Sequence, residues 1–536
     1  MGNNSKNEPY SYHTFILPFI WHGKKDSYNR FVKYFDDNEF WSCSDMKNAS
    51  DINSNSMIST KEDRILLYKE YQYFHPFARK AIYGFGEGIV HNYEFLHDKV
   101  YEKAHYYIQK GGRTYDLLIN TIRLKIFNTG VALFIIETMN YGYDKDGKPQ
   151  NTFGDVKNIN DYGRRISLPI ISEPNLCADS IKVEIGDMVF EDNFREHINQ
   201  VSELDDISSE KISLTHMCDF VKSILGYGGD YTFTSRETIG DKEFYVYPIL
   251  DDRMYVISSV KDSEAIGQCC EDDSKSIYEY VYVDNEGNCS CQNKKMRKEM
   301  LDKALYERWT DYGTRYYITD YSFMLLGENG LPGYIIESFL TQYYQMACLV
   351  IAQRASLMKF KREITTMALG LEKTGKRVKV SSINKIMDLQ ERFVAFESQL
   401  YFDEVSSEQQ GIEMYDKLVD QSMIRKEMES LRNQLDAMYN ISDTSLGFGI
   451  NRIMLIFTWI SGILAFAALV ISTMQIQGFK DMPVLKILNT HSVSDYSGTT
   501  VDGTGVGMIV MLFMILSILG SLIATARILI RYRRKR

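Results

Sequence analysis

The sequence predicts an α/β domain, then long stalk helices, then a two-helix transmembrane domain. Three observations carry that expectation. Two uncharged apolar runs, Ile453 to Met474 and Val506 to Ala526, stand close to the C-terminus of the 536-residue chain. Each matches the roughly 20 apolar residues a helix needs to cross a bilayer core. Apolar residues recur at helical spacing through most of Ile335 to Tyr439. Upstream, strand-like runs bounded by turn residues alternate with helical patterns, as an α/β domain requires. The expected domains are therefore 1–334, 335–450 and 451–536.

Phe15 to Trp21 is apolar, but it contains Pro18 and lacks a basic flank and a small-residue cleavage site. It is expected as a core strand rather than a secretion signal, which keeps the first domain in the cytosol. Lys61 to Tyr83 is helical in pattern. Leu117 to Phe127 and Val131 to Thr138 are expected strands joined by Asn128-Thr129-Gly130. Asp192 to Ser213 is polar and is expected as a loop. Phe244 to Leu250 and Arg253 to Val260 resemble a second hairpin across Asp251-Asp252, and Tyr278 to Val283 precedes an Asp-Asn-Glu-Gly turn.

In the stalk, Phe339, Tyr343, Met346, Val350, Ala355 and Met358 mark a first helix over Ile335 to Leu371. Ser382 to Phe402 is a second, capped by Ser381 or Ser382. Ile412 to Tyr439 is a third. Its residues Ile424, Met428, Leu431, Leu435 and Met438 form a seam that suits either a coiled coil or a hairpin within one chain. Gly447 and Gly449 are expected to interrupt the helix before the membrane, as a hinge or as a loosened junction.

Charge sets the membrane orientation. Arg527, Arg531, Arg533, Arg534, Lys535 and Arg536 crowd the C-terminus and Arg452 opens the first apolar run, whereas the connecting segment carries only Lys480 and Lys486. Positive residues stay inside, so both termini are expected in the cytosol, at the cell inner membrane. Along the first run Asn451, Met454, Thr458, Ser461, Ala465, Ala468, Ser472 and Gln475 share one helical stripe. Small and polar residues there suit a close-packed helix contact. They equally suit the wall of a pore, which several subunits would have to enclose.

The net charge of −10 argues against direct nucleic-acid binding. No nucleotide-fold or metalloprotease signature is present, so no catalytic residue or bound cofactor is expected. Cys269-Cys270 with Cys289 and Cys291 invites a zinc site, but the intervals are unusual and plain thiols are the simpler reading. Asp161, Gly163, Arg164 and Arg165 set two adjacent guanidiniums behind a glycine turn. Such a pair can grip a phosphate in bidentate fashion, or it can pair with surface carboxylates. Leu225 to Asp230 adds a glycine-rich loop ending in an acid, so Asp230 is a candidate partner for an amino group.

Asn451, Met454, Phe457 and Thr458, followed by Phe479, Met482, Pro483, Val484 and Leu485, resemble the CorA family of divalent-cation channels over roughly residues 410–536. The resemblance implies a homo-oligomer, a pentamer in that family's pattern, with the first transmembrane helix innermost. The family's Gly-Met-Asn signature is absent. Gln475 or Gln477 falls at the pore mouth instead, which puts ordinary magnesium uptake in doubt. Phe457 lies beside the stripe and can act as a hydrophobic gate. Tyr12 to Phe15, Tyr73 to Phe77 and Ile159 to Arg165 resemble the CorA-like membrane effectors associated with type III CRISPR systems. That resemblance implies antiviral defence through a channel opened by a signal nucleotide, S-adenosylmethionine-AMP. The alternatives are a divalent-cation transporter with a divergent selectivity motif and a membrane-anchored nucleotide-degrading enzyme without a pore.

Overall fold

The computed structural model describes residues 8–24, 27–46, 61–84, 86–96, 103–165, 177–195, 217–235, 240–269, 275–373 and 380–475. The chain divides into two compact units. The first comprises Met1–Thr366 and Met387–Leu435, and the second comprises Met367–Ile386 and Asp436–Arg536. Much of the expected stalk therefore groups with the α/β part.

The first unit is built on one mixed sheet of 14 strands among the described residues. They are β1 (Ser11–His22), β2 (Trp41–Cys43), β3 (Val90–Phe95), β4 (Ala104–Lys110), β5 (Arg113–Phe127), β6 (Val131–Asn140), β7 (Ser180–Ile185) and β8 (Met188–Asp192). Then follow β9 (Thr232–Thr234), β10 (Glu243–Pro248), β11 (Tyr255–Lys261), β12 (Leu305–Tyr306), β13 (Thr314–Ile318) and β14 (Ser322–Gly327). The main path runs β12-β13-β14-β11-β1-β6-β5-β4-β7-β8, with β3 also pairing β5.

The central strand is β1. Its near-continuous apolar run is buried on both faces, the pattern of a strand covered on each side. Side chains alternate across it. Phe15, Leu17, Phe19 and Trp21 belong to the large core. On the other face Ile20 joins Val131, Tyr245, Tyr247 and Ala355.

The expected β5–β6 hairpin forms, and its turn is held by Lys359, whose Nζ donates to Thr129 O at 2.7 Å and Gly130 O at 3.2 Å. The expected second hairpin does not form. β10 and β11 both pair with β1, β10 with Phe19 to His22 and β11 with Ser11 to Ile16. At 12 residues β1 is long enough to take both end to end. Lys61 to Tyr83 is two helices, Lys61–Tyr73 and Pro76–Tyr83. Pro76 forces His75 into extended backbone and opens the second helix, where its missing N–H costs nothing. Tyr278 to Val283 mostly lies in a helix, Lys275–Tyr282.

The first stalk helix begins as Gly333–Ser338, passes through a π-helical turn, Phe339–Tyr343, and runs on as Tyr344–Lys373. The second is Val380–Gln399. The third breaks after Gln409–Gln421, at Met423 with φ 53°, and restarts as Ile424–Gln475. That last helix runs unbroken through Gly447 and Gly449, so the expected interruption is absent. The seam residues Ile424, Met428, Leu431, Leu435 and Met438 are all buried within the single chain.

Among the described residues no helix is long and apolar enough to cross a membrane. Within Ile453 to Met474 the described side chains are those of residues 454–466. The run Val506 to Ala526, Gln477 and the basic C-terminus lie outside the described residues, as do the side chains of Asn451, Ala468, Ser472 and Gln475. Most of Asp192 to Ser213 lies outside them too.

His13 locks β1 to the helix Phe153–Gly163. Its Nδ1–H donates to Asn160 Oδ1 at 2.7 Å, and its Nε2 accepts from Ser11 Oγ at 2.9 Å. Burial pushes the imidazole down to about 4, with the Asn160 hydrogen bond opposing. Between about pH 6.5 and about pH 4 the folded protein thus binds fewer protons here than the unfolded chain. Stability present at neutral pH is lost as pH falls through that window, by roughly 3 kcal/mol in full. Urea unfolding at pH 7 and pH 4.5 should show the loss, and His13→Gln should flatten it. An unchanged slope in that variant contradicts the assignment.

Candidate functional site

The helix Phe153–Gly163 starts on a capping box between Thr152 and Asp155. It ends where it touches the sheet most closely. A Cβ on Gly163 would meet Phe15 Cζ at 2.7 Å and Ile108 Cδ1 at 2.8 Å, so only glycine fits. The chain then passes beside the start of β11, where Met254 N–H donates to Arg164 O at 2.8 Å and Arg165 forms a bridge with Arg253.

This route gathers charge around Asp161, which is 2% exposed. Its Oδ1 accepts from Arg165 at 3.0 Å and lies 3.4 Å from Arg164, and its Oδ2 accepts from Asn285 Nδ2 at 2.8 Å. Arg164, also 2% exposed, donates to Val283 O at 2.8 Å. Val283 is held at φ 60°, a costly conformation for a β-branched residue. The Asp-Asn-Glu-Gly turn legible in the sequence thus supplies Asn285 to the same carboxylate. Arg253 pairs with Asp251 at 2.8 Å and lies over the Tyr321 ring at 5.3 Å.

The electrostatics follow from burial. Desolvation lowers the Arg164 guanidinium to about 10, with Asp161 opposing. Burial alone would raise Asp251, but hydrogen bonds to Asp252 and Arg253 win and hold its carboxyl at about 2. The Nε atoms of Arg164 and Arg165 are buried and find no hydrogen-bond partner among the described residues. Two orphan guanidinium donors on adjacent residues are what a phosphate oxygen can satisfy. Arg165 is the more accessible of the two.

The structure brings Asp161, Arg164 and Arg165 together but leaves Asp230 elsewhere. Asp230 is exposed and pairs with Lys242 at 2.8 Å. Its preceding glycines have a packing reason: a Cβ on Gly228 or Gly229 would collide with Phe40 or Tyr34. The thiols of Cys269, Cys289 and Cys291 each face a backbone carbonyl. No group of metal-holding side chains occurs among the described residues, and Cys270 lies outside them.

Sequence reasoning missed a cavity of about 710 Å³ against β1, β3, β5 and β6. Tyr12 and Thr14 line it, whereas His13 and Phe15 face the helix that carries Arg164. By strand alternation the cavity and the arginine pair lie on opposite faces of the sheet. A register shift in β5 between Ile119 and Thr121 lies in its wall, at Asn120.

On the final helix Met454, Leu455, Ile456, Phe457, Ile460, Ile463 and Leu464 are all about half exposed or more. Thr458 Oγ1 donates to Met454 O at 2.8 Å, and Ser461 and Ala465 are exposed as well. No family model, curated protein or solved structure matches the chain.

Proposed function

We propose that the chain is a ligand-gated, homo-oligomeric membrane channel, a CorA-like effector of type III CRISPR antiviral defence. A signal nucleotide, S-adenosylmethionine-AMP, opens it and the host membrane loses its ion balance. In this reading the protein is a pentamer in the inner membrane, crosses it twice and keeps both termini in the cytosol. Arg165, with Arg164 and Asp161 behind it, meets the ligand phosphate. The first transmembrane helix lines the conduit from Asn451 to Gln475, with Gln477 near the mouth and Phe457 as gate.

The observation that carries the reading is the exposed apolar girdle of the last helix. Residues 454–457 are consecutive, so their side chains point to every side of the helix. At 61%, 54%, 50% and 65% exposure, they leave an apolar surface that water will not tolerate. A helix apolar all round is covered by lipid or by partner chains. Thr458, Ser461 and Ala465 offer the less apolar stripe that a conduit would use.

In the single chain Leu455 and Ile463 are nearly as open as Met454, so a marked difference between faces must come from assembly. Cysteines at Ser461, Ala465 and Ser472 should react with a water-soluble thiol reagent once the nucleotide is added to reconstituted protein. Cysteines at Leu455, Ile463 and Phe466 should react far less. Equal labelling of the two sets, or a monomer in the bilayer, would count against the conduit.

A further inference from the structure

We propose that the cavity against β1, β3, β5 and β6 is a binding site for a zwitterionic small molecule, a free amino acid. It goes beyond the channel reading and does not depend on it. The site is separate from the arginine pair, since it opens on the other face of the sheet.

Several elements build its walls. Tyr12 and Thr14 project from β1, and Asn120, Arg123 and Lys125 from β5 and its irregularity. Glu70 comes from the helix Lys61–Tyr73, and Leu340, Thr341, Tyr344 and Gln345 from the π-helical turn and the helix after it. π-Helical turns and strand irregularities are both enriched beside binding sites. At about 710 Å³ the space is of the size that small-molecule sites occupy.

The charges define the ligand. Arg123 is already matched, by Glu137 at 2.5 Å and Glu94 at 3.9 Å. Lys125 and Glu70 are not. Lys125 is 7% exposed, and its Nζ donates to Asn92 Oδ1 at 2.9 Å and Ile82 O at 3.3 Å. Among the described residues no carboxylate lies within ion-pair distance of it. Glu70 is 6% exposed and accepts from Tyr83 Oη at 2.8 Å, again without a described cation at ion-pair distance. Each senses the other electrostatically.

Burial opposes both charges, lowering Lys125 and raising Glu70. A buried ammonium and a buried carboxylate that do not pair directly are costly. A ligand bearing a carboxylate and an ammonium supplies the missing partner to each. Gln345 Oε1, buried without a hydrogen-bond partner among the described residues, offers a further acceptor for the ammonium. A purely anionic ligand would meet Glu70, Glu94 and Glu137, and a purely apolar one would strand Lys125.

The test is equilibrium binding to the detergent-solubilised full chain, with the twenty free amino acids as probes. At least one should bind. Glu70→Gln and Lys125→Met should each weaken it tenfold or more with the melting temperature retained, while Lys24→Gln, in an exposed pair with Asp241, leaves it unchanged. Leu66→Trp, which fills the cavity and keeps every charge, should abolish it, and this covers the case in which a charge variant fails to fold. The proposal is overturned if no probe binds, or if binding survives Leu66→Trp. Neither result bears on ion flux, so the channel reading stands or falls separately.

Discussion

Replacing Arg164 with Met is expected to destabilise the α/β unit by about 3–5 kcal/mol, the cost of breaking a buried ion pair by removing one partner. The side chain is buried against Asp161 and holds Val283 O. Its loss leaves Asp161 with Arg165 and Asn285 among the described residues. It also frees the strained Val283 carbonyl, so denaturant unfolding should shift far to lower concentration. Arg165→Gln should behave differently. That side chain is less buried than Arg164, so the fold should survive and the effect should fall on the ligand. Loss of one charge-assisted contact costs about 1.5–3 kcal/mol, which is roughly tenfold to over a hundredfold in affinity for S-adenosylmethionine-AMP. Calorimetric titration of the Arg165→Gln protein measures this. Unchanged affinity would remove the arginine pair from the ligand site, and an unshifted unfolding curve for Arg164→Met would remove it from the core.

The arginine pair was legible because its signal is local: a glycine, two cations and an acid within five positions. Their burial was not legible, because it depends on β1 and β4 pressing against Gly163. Asp230 shows the opposite failure. Its glycine-rich loop reads like a ligand cradle, but those glycines make room for Phe40 and Tyr34, which are distant in sequence.

Strands with strong apolar patterns, β1, β5 and β6, were found from the pattern alone. The pairing of β10 and β11 was misjudged, since a short polar turn between apolar runs looks like a hairpin unless the length of β1 is known. The run through Gly447 and Gly449 was misjudged too, because helix propensity is a weak signal beside the continuity of a 52-residue helix. The cavity was invisible because its lining comes from segments as far apart as Tyr12 and Gln345, and no short motif encodes such a meeting.

The channel account rests on one sequence of events: nucleotide binding, opening of a conduit formed by several copies, and passage of ions. In that account Phe457, at 65% exposure, is the proposed gate, which would close the conduit by excluding water. The expected effect is therefore large, from near-zero leak to open passage. The direct test is ion release from liposomes carrying the purified full chain, with and without S-adenosylmethionine-AMP. The account predicts release only when the nucleotide is present, and release without nucleotide when Phe457→Ala removes the gate. Liposomes that hold their ions in every case, although the protein is inserted and binds the nucleotide, would contradict it.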